Sequence, residues 1–227
     1  MKKIKEMLSK AEKENRTSLT LSESLEFIKF YGIEVATYTQ AETVADAVEF
    51  SENIGYPVAL KIVSNSISHK TDVGGVFLNL NSKKEVTEAY RSIKKKFGKA
   101  MESVIVQKMV DGGAEVIVGG KKDPQFGQTV IFGTGGIYAE AFDDAAVRVT
   151  PLTKADAKEM IKETRISRIL EGFRKKKYDV KSVEDVILKV SKLMDENPEI
   201  AELDINPLIV RENSRGSVSV DARIILG

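Results

Sequence analysis

Cysteine and tryptophan are absent from the 227 residues, and histidine occurs once. Without thiols there can be no disulfide and no thiolate metal site, so nothing argues for an oxidising compartment. No uninterrupted apolar stretch approaches the roughly 18 residues a membrane span needs. Residues 1–15 are charged throughout, with no apolar run of the kind a secretion signal carries. These absences give the expectation of a cytoplasmic protein with no membrane partner. An excess of one charge is missing as well: 35 basic against 34 acidic residues leave a net charge of +1. No global field therefore draws the chain to nucleic acid. The lysine runs at 94–96 and 175–177 read as solvated helix faces. The pattern G-x-x-x-x-G-K-[ST] does not occur, which removes the P-loop as a source of phosphate binding.

What is present is a mixture of helix and strand patterns. Residues 1–14 read as a short polar helix, and a second helix follows Thr20 with Ser22 as N-cap and Gly32 as its end. Strand patterns fall at 33–38, 57–63, 76–79 and 104–109, with helices at 42–54, closed by Gly55, and 83–96. Asp111-Gly112-Gly113 is a turn signal and marks a lobe boundary. Strands follow at 115–120, 129–132 and near 137–141, helices at 154–162 and 182–194, and two closing strands at 200–210 and 218–225. The expected division is a helical segment over 1–21, one lobe over 22–112 and a second over 113–227.

Four features carry chemical information. In Glu202-Leu203-Asp204-Ile205-Asn206-Pro207 the polar residues recur at every second position, so a strand there presents Glu202, Asp204 and Asn206 from one face. Such a row of oxygen donors suits a hard cation such as Mg²⁺ that shares its coordination with phosphates. The same alternation also describes any strand with one wet face. Asp221, across a short hairpin, is placed to reach the same ion. Lys61 lies inside the apolar strand Val58-Ala59-Leu60-Lys61-Ile62-Val63, where a buried ammonium needs an anion, or else snorkels at an edge. The glycines at 74–75 and at 133, 135 and 136 permit close backbone approach to phosphate, or simply form turns. His69, in the polar loop Ser66-Ile67-Ser68-His69-Lys70-Thr71-Asp72, is either a surface histidine or a base or covalent carrier.

Taken in order along 57–223, several motifs resemble the beta subunit of the ADP-forming acetyl-CoA synthetases, relatives of succinyl-CoA synthetase. They are Pro57-Val58-Ala59-Leu60-Lys61-Ile62-Val63, the run Ser68-His69-Lys70-Thr71-Asp72-Val73-Gly74-Gly75-Val76, Phe132-Gly133-Thr134-Gly135-Gly136-Ile137, Arg148-Val149-Thr150-Pro151-Leu152, residues 202–208, and Val220-Asp221-Ala222-Arg223. The resemblance implies an α+β ATP-grasp fold of two lobes that holds ATP or ADP with Mg²⁺. It implies phosphate contacts for Lys61, Gly74, Gly75, Gly135 and Gly136. Gln107, Lys108, Met109 and Val110 correspond to the hinge that meets adenine, with Gln107 where succinyl-CoA synthetases have a glutamate. Glu115 corresponds to the acid that binds the ribose hydroxyls, and Asn206, Asp221 and Asp204 to the magnesium site. The implied reaction is acyl-CoA plus ADP plus phosphate giving acid, CoA and ATP. An alpha subunit would bind CoA and carry a first phosphohistidine, two copies of each chain would assemble, and His69 would relay the phosphoryl group to ADP. The rival readings are a non-catalytic nucleotide sensor and another ATP-grasp carboxylate ligase.

Overall fold

The computed structural model describes residues 2–64, 73–136, 144–172 and 176–227. The chain forms two compact units, one of Ala36–Asp111 and one of Met1–Val35 with Gly112–Gly227.

The smaller unit is a four-stranded antiparallel sheet covered by two helices. In chain order these are β1 (Tyr38–Ala41), α3 (Val44–Ile54), β2 (Val58–Val63), β3 (Val76–Leu80), α4 (Lys83–Phe97) and β4 (Ser103–Lys108), following the N-terminal helices α1 (Lys2–Lys13) and α2 (Leu21–Phe30) of the other unit. The strand order is β1-β4-β2-β3. Period-two alternation sorts β2 as the sequence predicts. Val58, Leu60 and Ile62 join Val104 and Val106 in the core beneath α3 and α4, together with Ala47, Val86, Tyr90 and Ile93. Ala59, Lys61 and Val63 therefore belong to the opposite face. Both helices start on side-chain caps, Thr43 with a capping box to Asp46 and Ser82 accepting from the Glu85 N–H.

The larger unit is built on β5 (Ala114–Asp123), β6 (Gly127–Thr134), β7 (Ala145–Val149), β8 (Ile200–Val210), β9 (Ser217–Ser219) and β10 (Arg223–Leu226). They pair in the order β10-β8-β5-β6-β7, with β9 also on β8. Helices α5 (Lys154–Glu163), α6 (Ser167–Gly172) and α7 (Val180–Glu196) come between β7 and β8. α7 packs on β5, β6 and β8, and α5 on β6 and β7. Val116, Val118, Val130, Phe132, Leu203 and Ile205 are buried. Cross-strand register puts them all on the face that meets α7, since Val118 opposes both Phe132 and Ile205. That leaves the other face of the sheet for chemistry.

Several sequence expectations need correction. The helix after Thr20 is capped by Thr20 itself in a capping box with Glu23, while Ser22 lies within its first turn. The strand expected at 33–38 begins only at Tyr38; Val35 instead makes an isolated parallel bridge to Ser219, and the Ser219 N–H donates to the Glu34 carbonyl at 2.8 Å. Residues 17–19 pair along β10 in the antiparallel sense, through Leu19 N–H to Ile224 carbonyl and Leu226 N–H to Thr17 carbonyl. Residues 22–35, read from sequence as part of the lobe ending at 112, thus pack with 112–227. The strand read at 218–225 is two, β9 and β10, interrupted at Asp221, whose carbonyl and carboxylate accept from Ser219 Oγ and the Ala222 N–H. β7 and α6 were not anticipated, and the strand expected near 137–141 lies outside the described residues.

Candidate functional site

The free face of the larger sheet is polar along β8. Leu203 and Ile205 are fully buried toward α7, so Glu202 and Asp204 belong to the other side. Asp204 lies cross-strand from Gly119 of β5 and Arg223 of β10. Gly119 carries no side chain on that face, and a Cβ there would come within 2.7 Å of the Leu203 carbonyl oxygen. Asp204 Oδ1 is buried with no hydrogen-bond partner among the described residues. Burial, joined by the charges of Glu202 and Asp221, pushes the Asp204 carboxyl up from 3.8 to about 6, against the opposing pull of Arg223. An acidic group held this way is short of a positive counter-charge, and a divalent cation would supply one. Among the described residues no three His, Cys, Asp or Glu side chains form a metal-ligating group. The expected set of Asp204, Asn206 and Asp221 contains two carboxylates and one amide. That donor set fits an ion that keeps part of its coordination for phosphate oxygens.

At Asn206 the strand changes course. Val118 opposes Ile205 but Val116 opposes Leu208, so Asn206 and Pro207 together face Ile117 in a β-bulge. Pro207 has no N–H to give the ladder, which is a physical reason for the bulge to sit there; its bond to Asn206 is cis. The displaced Asn206 side chain accepts a hydrogen bond from the Gly136 N–H, Oδ1 to N 3.1 Å. On the other side the Val220 N–H donates to the Pro207 carbonyl at 3.3 Å, which brings Asp221 alongside. The Asp221 carboxylate accepts from the Ala222 N–H at 2.9 Å, and Ser219 Oγ donates to the Asp221 carbonyl.

The glycine loop closes the same cluster. Gly135 N–H donates to the Glu115 carbonyl at 3.0 Å, and a Cβ on Gly135 would lie 2.5–2.8 Å from the Val116 backbone. Gly136 has φ +68°, and a Cβ on it would run into the Glu115 carboxylate. Glu115, Gly135, Gly136 and Asn206 therefore lie together in one cluster within one unit.

In the smaller unit Lys61 is 5% exposed and Gln107 2%. Lys61 opposes Ile105, and Gln107 opposes Ala59, so both belong to the face away from α3 and α4. Gln107 Nε2 is buried without a hydrogen-bond partner among the described residues, an unmet donor of the kind a ligand acceptor satisfies. Lys108 is already engaged, donating from Nζ to the carbonyls of Gly55 (2.9 Å) and Tyr56 (2.8 Å). Its side chain thus braces the turn before β2. The Met109 N–H donates to the Pro57 carbonyl, and Val110 is half-buried. Gly74 has φ +65°, and the Gly75 carbonyl accepts from the Ile62 N–H. His69 lies outside the described residues. Sequence reasoning named Arg223 only within a motif; its place opposite Asp204 depends on strand register, which no local pattern announces.

A family model described as an ATP-grasp domain matches residues 10–226. The beta subunit of acetate–CoA ligase (ADP-forming) I from Pyrococcus furiosus is 45% identical over 99% of this chain and 98% of its own length. Acetate–CoA ligase (ADP-forming) I from Archaeoglobus fulgidus is 46% identical over 91% of this chain, which spans only 30% of that longer protein. A solved structure of acetyl-coenzyme A synthetase 1 from Candidatus Korarchaeum cryptofilum, in complex with coenzyme A and Ca-AMPCP, superposes with a TM-score of 0.93 at 43% identity, covering 98% of this chain and 99% of that one. Another structure of that enzyme holds Mg-AMPPCP and is described with its phosphohistidine segment pointing towards the nucleotide-binding site. Among the described residues no helix is long and apolar enough to cross a membrane. The fold is ATP-grasp, and this chain belongs to the family of beta subunits of the ADP-forming acetate–CoA ligases.

Proposed function

We propose that this chain is the nucleotide-handling subunit of an ADP-forming acyl-CoA synthetase, which converts acyl-CoA, ADP and phosphate to carboxylic acid, CoA and ATP. The observation that carries the reading is the convergence of Glu115, Gly135, Gly136 and Asn206 beside the acidic face of Glu202, Asp204 and Asp221. Asn206, Asp221 and Asp204 would hold Mg²⁺. When bound, that ion offsets charge on the nucleotide phosphates and on the transferring phosphoryl group. Gly135 and Gly136, bare of side chains, leave room for the phosphates to approach the loop, Glu115 accepts from the ribose hydroxyls, and Lys61 gives the phosphates a buried cation. Gln107 directs its unmet amide donor to the base. Fixed groups of this kind accelerate phosphoryl transfer by position and charge.

The phosphoryl group reaches ADP through His69. The N–P bond of the phosphorylated imidazole breaks as a β-phosphate oxygen of ADP forms the new P–O bond, leaving ATP and a free imidazole. A carrier is needed when acyl phosphate forms at one site and ADP waits at another. The nucleotide-directed phosphohistidine segment of the Korarchaeum enzyme supports such a relay, and His69 is the one imidazole this chain can offer. The acyl phosphate forms on an alpha subunit with the CoA site, assembled two and two with this chain. The fused Archaeoglobus relative, in which this chain spans 30%, supports a partner of that kind.

The nucleotide site is tested by titrating Mg-ADP into the full chain in a calorimeter. Asn206→Ala and Asp221→Asn are expected to weaken binding roughly tenfold or more while far-ultraviolet circular dichroism stays unchanged. Wild-type affinity in both variants would remove the metal assignment.

A further inference from the structure

Among the described residues Asp144 touches none of the proposed ligands, yet it makes more hydrogen bonds to the glycine loop than Glu115 or Asn206 does. Its carboxylate accepts three hydrogen bonds: from Thr134 Oγ1 at 2.7 Å, from the Arg165 N–H at 2.7 Å and from the Ile166 N–H at 3.2 Å. Its carbonyl accepts a fourth, from the Thr134 N–H at 3.2 Å. Thr134 is the residue immediately before Gly135-Gly136. Thr134 and Asp144 thus close the base of the glycine loop twice, once through the backbone and once through side chains. The same carboxylate ties that base to the turn leading into α6. Gly133, one residue earlier, has to be glycine for this approach, since a Cβ there would run into the Asp144 carbonyl oxygen. Thr134 also opposes Val116 of β5, so the pinch is anchored in the sheet.

We infer that Asp144 is a positioning residue for nucleotide binding, acting through Thr134 to fix Gly135 and Gly136 where Asn206 and Glu115 meet them. This rests on the reading of that loop as the phosphate cradle. The geometry explains why a carboxylate serves here. Three donors converge on two oxygens, and an ionised group accepts all of them without spending a proton on any. Asparagine would turn one acceptor into a donor facing a donor. Removing the Thr134 hydroxyl frees the loop from the side-chain bond while leaving both α6-side bonds in place. Thr134→Val therefore isolates the positioning role from the packing of α6.

The test is Mg-ADP calorimetry on the full chain carrying Thr134→Val, Asp144→Asn and both, with Asn206→Ala alongside. Activity is read on the same variants assembled with the alpha subunit. A side-chain hydrogen bond of ordinary strength predicts a roughly three- to tenfold weaker Mg-ADP affinity in each single variant. The double variant should lose little more than the worse single one, because both cut the same bond. In the assembled enzyme the KM for ADP rises while that for acyl-CoA does not, a split that a general loss of stability would not produce. Wild-type Mg-ADP affinity in Thr134→Val, with Asn206→Ala weakened, overturns the role of Asp144 and leaves the cradle standing. Wild-type affinity in Asn206→Ala as well overturns the cradle itself. Losses that add in the double variant show that the two residues act separately and also overturn the inference.

Discussion

Asp204→Asn should make the ligand-free protein more stable and a worse nucleotide binder at the same time. The carboxyl is pushed from 3.8 to about 6, by burial first and by Glu202 and Asp221 after it. A raised carboxyl holds its proton more tightly in the folded chain than in the unfolded one. Folding is therefore favoured by this group at low pH, and the advantage is lost as pH rises from about 4 through about 6. Above that window the full cost of keeping the charge is present, roughly 3 kcal/mol from the span of the two values. The side chain is only part-buried, and screening together with Arg223 brings a realistic figure to about 1–2 kcal/mol. For a chain of this size that corresponds to a rise in thermal midpoint of roughly 2–8 °C. Thermal melts of wild type and Asp204→Asn at pH 8 and pH 4.5, without nucleotide, measure it directly. The variant should gain at pH 8 and gain about a third as much at pH 4.5, and in calorimetry its Mg-ADP affinity should fall. A shift of equal size at both pH values, or a variant less stable at pH 8, would refute the electrostatic argument.

Three other outcomes follow from the same geometry. Gly119→Ala places a Cβ 2.7 Å from the Leu203 carbonyl oxygen, a backbone atom in mid-ladder, whereas Gly120→Ala meets the flexible Met194 side chain at 2.5–3.0 Å. Urea unfolding should show Gly119→Ala losing about 1–3 kcal/mol and Gly120→Ala less. For Glu23, burial raises the carboxyl, but the Arg16 guanidinium and the Thr20 hydrogen bonds outweigh it and hold the group below its usual 4.5. Its contribution is present above about pH 4.5 and fades as pH falls through the lower folded value, so Glu23→Gln should depress the melting midpoint at pH 7 and by a shrinking amount as pH is taken down below 4.5. Gln107→Leu removes the unmet buried amide, and it should leave the fold at least as stable as wild type by urea unfolding while weakening ADP binding roughly three- to tenfold.

Strong periodicity was readable without coordinates. β2 alternates as its sequence demands, α4 runs Lys83–Phe97 where the sequence reads as helix over 83–96, and β8 spans 200–210 as read. What escaped depends on contacts distant in sequence. Val35 pairs with Ser219 and residues 17–19 pair with β10, so the first 35 residues join the unit that the C-terminal half builds. Ser22 and Thr20 are both acceptable caps by residue type. Glu23 decides for Thr20 because it sits three residues on and returns a bond to the Thr20 N–H. In the candidate site, alternation pointed to Glu202, Asp204 and Asn206 as one row. The bulge at Asn206-Pro207 modifies it by turning Asn206 toward Gly136. Asp144 left no trace in the sequence, since its partners are 10, 21 and 22 residues away.

The central claim is a phosphoryl path ending at ADP on this chain. Its most direct measurement follows label from the phosphoryl donor in the enzyme assembled with its alpha subunit. With labelled phosphate and acyl-CoA, wild type should accumulate acid-labile label on this chain, and adding Mg-ADP should discharge it as labelled ATP. His69→Ala should take up no label on this chain and lose turnover. Full turnover by His69→Ala, or label reaching ATP with none ever held by this chain, would contradict the account.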